Sequence, residues 1–239
     1  MILLVREDRE FACSPGDEVH TDLGVIEVPT DVEPGDSVES HLGEEFRVRA
    51  LRGPDLFSHL ERTGAPMVPK DVGLLVGHTG ASSGDRILDA GTGTGILAAY
   101  LGRLGARVRT YERNGEFASV ARTNMEVADV ADTVTVVTGD VTDDLEDVSG
   151  FDVLTLDMED APVVVEHAPE ILVSGGYLAV YSPFVESARQ VEETAHAVSL
   201  TDVETLETIQ RRMDFDDRGS RPTTKGVGHT GYLTFGRAP

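Results

Sequence analysis

The run Arg86-Ile87-Leu88-Asp89-Ala90-Gly91-Thr92-Gly93-Thr94-Gly95 decides how the chain folds. Its first half is a short apolar segment of strand length, and its second half is a glycine-rich turn that opens into the helical run Ile96 to Leu104. Glycines at 91, 93 and 95 let the backbone turn tightly and approach a bound molecule, while the free N–H groups of the following helix point at it. That combination reads as a nucleotide-type pocket. A dinucleotide fingerprint needs its third glycine where Ile96 stands, so Gly95 breaks that spacing. No GxxxxGK[ST] occurs, which excludes a P-loop.

Outward from this turn, strand-like and helix-like runs alternate: strand 86–90, helix 95–104, strand 107–111, helix 115–128, strand 134–138, strand 152–157, helix 162–173, strand 176–181 and helix 185–198. The alternation implies a mostly parallel sheet covered by helices on both faces. Upstream, Pro69-Lys70-Asp71 starts a helix through about Gly80, with proline in the first turn and an acid near the positive end of the helix dipole. Downstream, 203–212 and 230–236 are β-rich with only a loop expected between them, and should pair antiparallel at the sheet edge. Residues 1–60 form a separate small β-domain in this reading, and 61–239 the catalytic domain. The first segment repeats itself: Pro15-Gly16-Asp17 leads to Leu23-Gly24, and Pro34-Gly35-Asp36 to Leu42-Gly43. Each copy predicts a β-hairpin of a small antiparallel sheet or barrel, serving as a docking or assembly module or as a structural cap. Gly53 to Gly64 reads as a polar connector.

Composition sets the outer limits. At 239 residues the chain holds one sizeable α/β domain plus an appendage, and no apolar run reaches the roughly 18 residues needed to cross a membrane. The charged stretch Arg6 to Glu10 argues against a signal peptide, so a soluble cytoplasmic protein is expected. The single cysteine, Cys13, excludes an internal disulfide, and the histidines show no ligand spacing, so no metal is expected. Acidic residues number 43 against 20 basic ones, giving a net charge of −23, and only Lys70 and Lys225 are lysines. Acid excess with lysine depletion resembles proteins of salt-in halophilic archaea. At about 1 M salt the screening length is about 3 Å, so an acidic surface no longer excludes a polyanion at range. The charge therefore permits an RNA substrate, provided that shape and specific contacts hold it.

In an open α/β sheet, ligands bind beyond the carboxyl ends of the strands. Asp89 and the glycine turn follow the first strand, and Glu112 with Arg113 the second; Glu112 is placed to hold two ribose hydroxyls or to cap the helix near Gly115. After the third comes Asp140, either an acceptor for an adenine amino group or a turn residue. Leu156-Asp157-Met158-Glu159-Asp160-Ala161-Pro162 follows the fourth, where the reacting groups should meet. Each acid alone has a structural explanation; the cluster at successive strand ends is what points to a ligand.

The pattern D-x-G-x-G-x-G of Asp89 to Gly95 resembles motif I of the S-adenosylmethionine-dependent methyltransferases, and the element order resembles their class I, Rossmann-like seven-stranded sheet. A narrower resemblance rests on Arg62-Thr63, Pro69-Lys70-Asp71, the glycine turn, Arg221-Pro222 and Gly228-His229-Thr230-Gly231. Together they resemble the tRNA (adenine-N1)-methyltransferases that act on the T-loop. The resemblance implies S-adenosyl-L-methionine as cofactor, held by Asp89, Gly91, Thr92, Gly93, Thr94, Gly95, Glu112, Arg113, Asp140 and Asp157. It implies Asp157 as the catalytic carboxylate, and tRNA as the substrate, methylated at adenine 57 or 58 by a homotetramer. Lys70, Arg211, Arg212, Arg221 and His229 are the candidate substrate contacts. Two departures stand out: Val68 occupies the position of the family's usual tyrosine, and Asp89 that of its glutamate. The arginines could instead bridge to Asp214, Asp216 and Asp217, and His229 could serve only the start of the last strand. Competing readings are a methyltransferase for a small molecule or protein isoaspartate, and a non-catalytic RNA-binding subunit.

Overall fold

The computed structural model describes residues 1–226 and 228–239. The chain divides into two compact units, Met1–Leu60 with Val127–Asp129, and Glu61–Glu126 with Val130–Pro239.

In the first unit both repeats close as hairpins, β3 (Glu18–Thr21) with β4 (Gly24–Glu27), and β5 (Ser37–Glu39) with β6 (Glu45–Ala50). The Pro-Gly-Asp turns are equivalent in their bonding. Gly16 N donates to Val28 O and Val28 N to Asp17 O; Gly35 N donates to Val48 O and Val48 N to Asp36 O. The two hairpins do not share a sheet, however. β6 pairs with β1 (Ile2–Arg6), which pairs with β2 (Arg9–Cys13), giving a four-stranded sheet beside the two-stranded β3–β4. Ile2, Leu4, Ile26, Val38, Phe46 and Val48 pack into one core from both sheets. Cys13 is buried in it, and burial pushes its thiol up to about 11. Half of the expected connector is helical: α1 (Gly53–His59) has Pro54 in its first turn, and Asp55 Oδ2 accepts from the Arg52 N–H at 2.6 Å.

The second unit is built on a seven-stranded sheet. Its elements are α2 (Pro69–Thr79), β7 (Arg86–Ala90), α3 (Ile96–Arg103), β8 (Arg107–Glu112), α4 (Gly115–Val127), β9 (Val134–Thr138), β10 (Phe151–Leu156), α5 (Ala161–Glu166), α6 (Ala168–Ile171), β11 (Leu172–Ser182), α7 (Val185–Ala197), β12 (Thr201–Glu207), β13 (Met213–Asp216), β14 (Gly219–Pro222) and β15 (Tyr232–Arg237). Strand order is β12-β15-β11-β10-β7-β8-β9, with β15 antiparallel to both its neighbours and the other pairs parallel. This is the expected α/β sheet with its antiparallel end. From β7 the chain runs first to β8 and β9 on one side, then to β10 and β11 on the other. The switch point thus lies at the carboxyl end of β7, where the glycine turn sits. Ile87, Leu88, Leu154, Leu178 and Val180 are almost wholly buried, as parallel strands covered on both faces require.

Two expectations are corrected. The single helix expected over 162–173 is two short ones, because Pro169 supplies no N–H to continue α5 and instead begins α6. The loop expected before the last strand is a hairpin, β13–β14, with all eight strand residues exposed, and β12 ends at Glu207 rather than Arg212.

Candidate active site

The glycine turn is held by geometry that side chains would destroy. Gly91 has φ +89°, and a Cβ there would lie 2.0 Å from the carbonyl oxygen of Asp157. Gly91 N and Thr92 N both donate to Tyr111 O, and Asp157 N donates to Ala90 O at 2.9 Å, so the ends of β7, β8 and β10 are laced together at this point. Gly95 begins α3 at φ +81°, and a Cβ there would meet Met125 Cε at 2.6 Å. A Cβ on Gly93 would make only ordinary contacts, with Gly91 O at 3.9 Å and Thr63 Oγ1 at 4.0 Å, and the Gly93 N–H donates to Glu112 Oε2 at 2.9 Å.

Beneath the turn lies a threonine cradle. Asp89 is buried, its two oxygens accepting from Thr110 and Thr155 Oγ1 at 2.5 Å each, and Thr92 Oγ1 shares a hydrogen bond with Thr110. Burial holds the Asp89 carboxyl above its ordinary range despite those donors. Thr94 is likewise turned inward, its Oγ1 accepting from Thr63 N at 3.3 Å.

Above the turn is a cavity of about 470 Å³, within the usual range for small-molecule sites, which runs from about 300 to 1,000 Å³. Gly91, Gly93, Glu112, Arg113, Asp140 and Asp157 line it; Asp89, Thr92, Thr94 and Gly95 do not. Asp89, Gly91, Thr92, Gly93, Thr94 and Asp157 all line a smaller adjoining space of about 110 Å³. Glu112 is buried at the end of β8, its Oε1 accepting from Asn114 N and its Oε2 from Gly93 N. Each oxygen keeps a lone pair. The cap of α4 is Asn114, whose Oδ1 accepts from Glu116 N and Phe117 N, so Glu112 is free of the capping role the sequence left open. Asp140 is a turn residue, its Oδ1 accepting from Thr142 N and Oγ1 to close a short 3₁₀ turn, and it also lines the cavity. Those bonds hold its carboxyl below the ordinary range. Arg113 is exposed, with a guanidinium nitrogen 3.8 Å from Asp160.

Gly91, Gly93, Phe117 and Asp157 line both spaces, and Asp157 is the carboxylate among them. It is half-buried, and burial, followed by the nearby Asp89 charge, pushes its carboxyl up to about 7. The cavity residues that sequence reasoning missed include Tyr111, Phe117 and Met158. Phe117 sits in the first turn of α4, where nothing in the local pattern separates a ligand-facing aromatic from a core one.

The substrate candidates lie elsewhere. Lys70 Nζ, almost buried, donates to Asp71 Oδ1 at 2.6 Å and to Thr230 Oγ1 at 2.8 Å. Both ring nitrogens of His229 are engaged, by Glu207 Oε1 at 2.7 Å and Pro183 O at 3.2 Å. Those acceptors, the carboxylate first, raise its pKa. Arg211, Arg212 and Arg221 are exposed on or beside the β13–β14 hairpin. Among the described residues, only Arg218 of this group forms an ion pair, with Asp216 at 3.1 Å, so bridging to Asp214, Asp216 and Asp217 does not account for the other three. None of these five candidates lines either space. Among the described residues no cluster of histidine, cysteine and acidic side chains is arranged to hold a metal, and no helix is long and apolar enough to cross a membrane.

Known proteins match this arrangement over nearly its whole length. The tRNA (adenine(57)-N(1)/adenine(58)-N(1))-methyltransferase TrmI of Methanocaldococcus jannaschii is 31% identical over 249 residues, covering 92% of this chain and 87% of the relative. The tRNA (adenine(58)-N(1))-methyltransferase TrmI of Thermus thermophilus is 27% identical over 240 residues, covering 98% and 94%. A solved S-adenosylmethionine-dependent O-methyltransferase from Thermotoga maritima superimposes with a TM-score of 0.83 at 26% identity, covering 99% of this chain and 92% of that one. The fold is thus that of the class I methyltransferases. Residues 54–219 match the family described as the tRNA methyltransferase complex GCD14 subunit, and with these relatives the chain belongs to that family of tRNA methyltransferases.

Proposed function

We propose that this chain is a tRNA methyltransferase that uses S-adenosyl-L-methionine to form 1-methyladenine in the T-loop, at position 58, 57 or both. The observation that carries the reading is the convergence of Glu112, Asp140 and Asp157 on one cavity beside an open glycine turn, in a chain of this family. The carboxylates suit a cationic adenosyl ligand, since they offer acceptors with unused lone pairs. Glu112 is assigned to the ribose hydroxyls, Asp140 to the adenine amino group, and Gly91 and Gly93 to the close backbone approach. Thr92, Thr94, Gly95 and Asp89 support the ligand from below by shaping the turn. Bound there, the cofactor supplies an electrophilic methyl group.

The remaining work falls to Asp157. Adenine N1 carries a lone pair, so no proton has to be removed before methylation, but the base becomes cationic. A carboxylate accepting from the exocyclic amino group orients the ring and stabilises that developing charge. The Watson–Crick edge is reached only when the base leaves its stack. A cationic ligand next to Asp157 favours its ionised form. Arg211, Arg212 and Arg221, exposed and free of the bridge that occupies Arg218, are assigned to tRNA phosphates.

A homotetramer in the cytoplasm of a salt-adapted cell completes the proposal; the family's description as a complex subunit supports assembly, and the acidic, lysine-poor composition supports salt adaptation. Incubation with cofactor and unmodified tRNA, followed by nucleoside mass spectrometry across a salt series, tests the activity. 1-Methyladenine is expected, and its absence at every salt concentration would contradict the reading.

A further inference from the structure

Two motifs at opposite ends of the sequence meet at one side chain that the catalytic scheme leaves unused. Thr230 Oγ1 accepts from Lys70 Nζ at 2.8 Å and donates to Asp71 Oδ2 at 3.0 Å, while Lys70 Nζ also donates to Asp71 Oδ1 at 2.6 Å. This closed ring is largely buried, with the Lys70 and Asp71 side chains 10% and 3% exposed. The carbonyl of Thr230 accepts from the Tyr181 hydroxyl at 2.5 Å. On one side of Thr230, His229 holds the segment through Glu207 and Pro183 O; both partners are acceptors, an arrangement that an imidazolium satisfies with two donors. On the other side, a Cβ on Gly231 would lie 2.4 Å from the Tyr181 ring, so only glycine leaves room for it. Thr230 and Gly231 therefore bear directly on Tyr181, and His229 anchors the segment that carries them.

Tyr181 stands next to the reacting group. β10 and β11 run parallel with Leu156 beside Val180, which sets Tyr181 beside Asp157 at the carboxyl ends of the two strands. Its hydroxyl proton is committed to Thr230 O, so its oxygen can act toward a substrate only as an acceptor. Adenine's exocyclic amino group carries two hydrogens, and the proposed role of Asp157 uses one.

We propose that Lys70, Asp71 and Thr230 form a clamp that fixes the Tyr181 hydroxyl as a second acceptor for the amino group of the target adenine. The inference rests on the function proposed above and deepens it. Lys70 becomes a positioning residue rather than a substrate contact. Two fixed acceptors also discriminate against guanine, whose O6 brings no hydrogen to either.

Steady-state kinetics on tRNA with Thr230→Val, Thr230→Ser, Tyr181→Phe and the Thr230→Val/Tyr181→Phe double variant test the clamp. Thr230→Val and Tyr181→Phe are each expected to lower kcat about tenfold to a hundredfold, the effect of misplacing one hydrogen bond to the reacting base. Cofactor Kd should stay within about twofold in both, because neither residue lines the large cavity. Thr230→Ser keeps the hydroxyl and should recover most of the rate. The double variant should be no worse than the more impaired single one. Wild-type kcat in Thr230→Val, or losses that multiply in the double variant, would overturn the clamp. Should Thr230→Val fail to fold, Tyr181→Phe removes one oxygen from the same site, and an unchanged kcat there overturns the proposal equally. A wild-type enzyme that makes no 1-methyladenine contradicts the proposed function instead.

Discussion

The two sides of the large sheet solve different problems. On the β7–β8–β9 side the strands are parallel, the turns are short, and the polar groups of each turn bond to the next one along: Gly93 to Glu112, Glu112 to Asn114, Asn114 to the start of α4. On the β11–β15–β12 side the strands are antiparallel, and the polar groups bond across great sequence distance, Lys70 to Thr230 over 160 residues. The first side is a preformed cradle for a small ligand. The second presents an exposed hairpin suited to a large one. Cofactor binding and substrate binding are therefore expected to fail separately.

The sharpest way to break that separation is at Gly91, where the two sides touch. Gly91→Ala drives a methyl group into the Asp157 carbonyl and forces an L side chain to φ +89°, so loss of cofactor binding by calorimetry and a lowered Tm are expected together. Asp157→Ala comes next. Turnover should fall by about 10² to 10⁴, the range for a lost orienting and charge-stabilising group, with cofactor Kd nearly kept. The same residue predicts a pH profile. Its raised pKa means that the neutral acid prevails below about 7, so kcat/KM should climb as pH rises through that value. That inflection should vanish in Asp157→Ala. The smallest effect belongs to the hairpin. Replacing Arg211, Arg212 and Arg221 by glutamine should raise the KM for tRNA several-fold and flatten its salt dependence, leaving cofactor Kd unchanged. Arg218→Gln, whose partner is Asp216, should do less than any of the three.

What could be read from the sequence follows the same divide. Strand, turn and helix lie within a dozen residues around Asp89, so the local pattern specified both the sheet and the ligand end. Its weak point was side-chain direction: Asp89, Thr92 and Thr94 looked equivalent to Glu112, yet face the cradle beneath the turn. Asp89 sits within the strand, whereas Glu112 ends β8 and Asp157 follows β10, and strand alternation cannot say which acid emerges into the cavity. On the other side, composition and motif placed Lys70 and His229 near the substrate, but their partners Glu207, Thr230 and Pro183 O depend on tertiary contacts that no local periodicity encodes. The β13–β14 hairpin was missed because each strand has only four residues: β13 alternates as Met213-Asp214-Phe215-Asp216, but its partner Gly219-Ser220-Arg221-Pro222 shows no matching apolar alternation.

Site-resolved mapping of methyl groups on a T-loop tRNA after reaction with the wild-type protein and S-adenosyl-L-methionine tests the central claim most directly. Methylation confined to N1 of adenine 58, adenine 57 or both is the predicted result. Methyl transfer to oxygen, to another base, or to no position in the T-loop would contradict it.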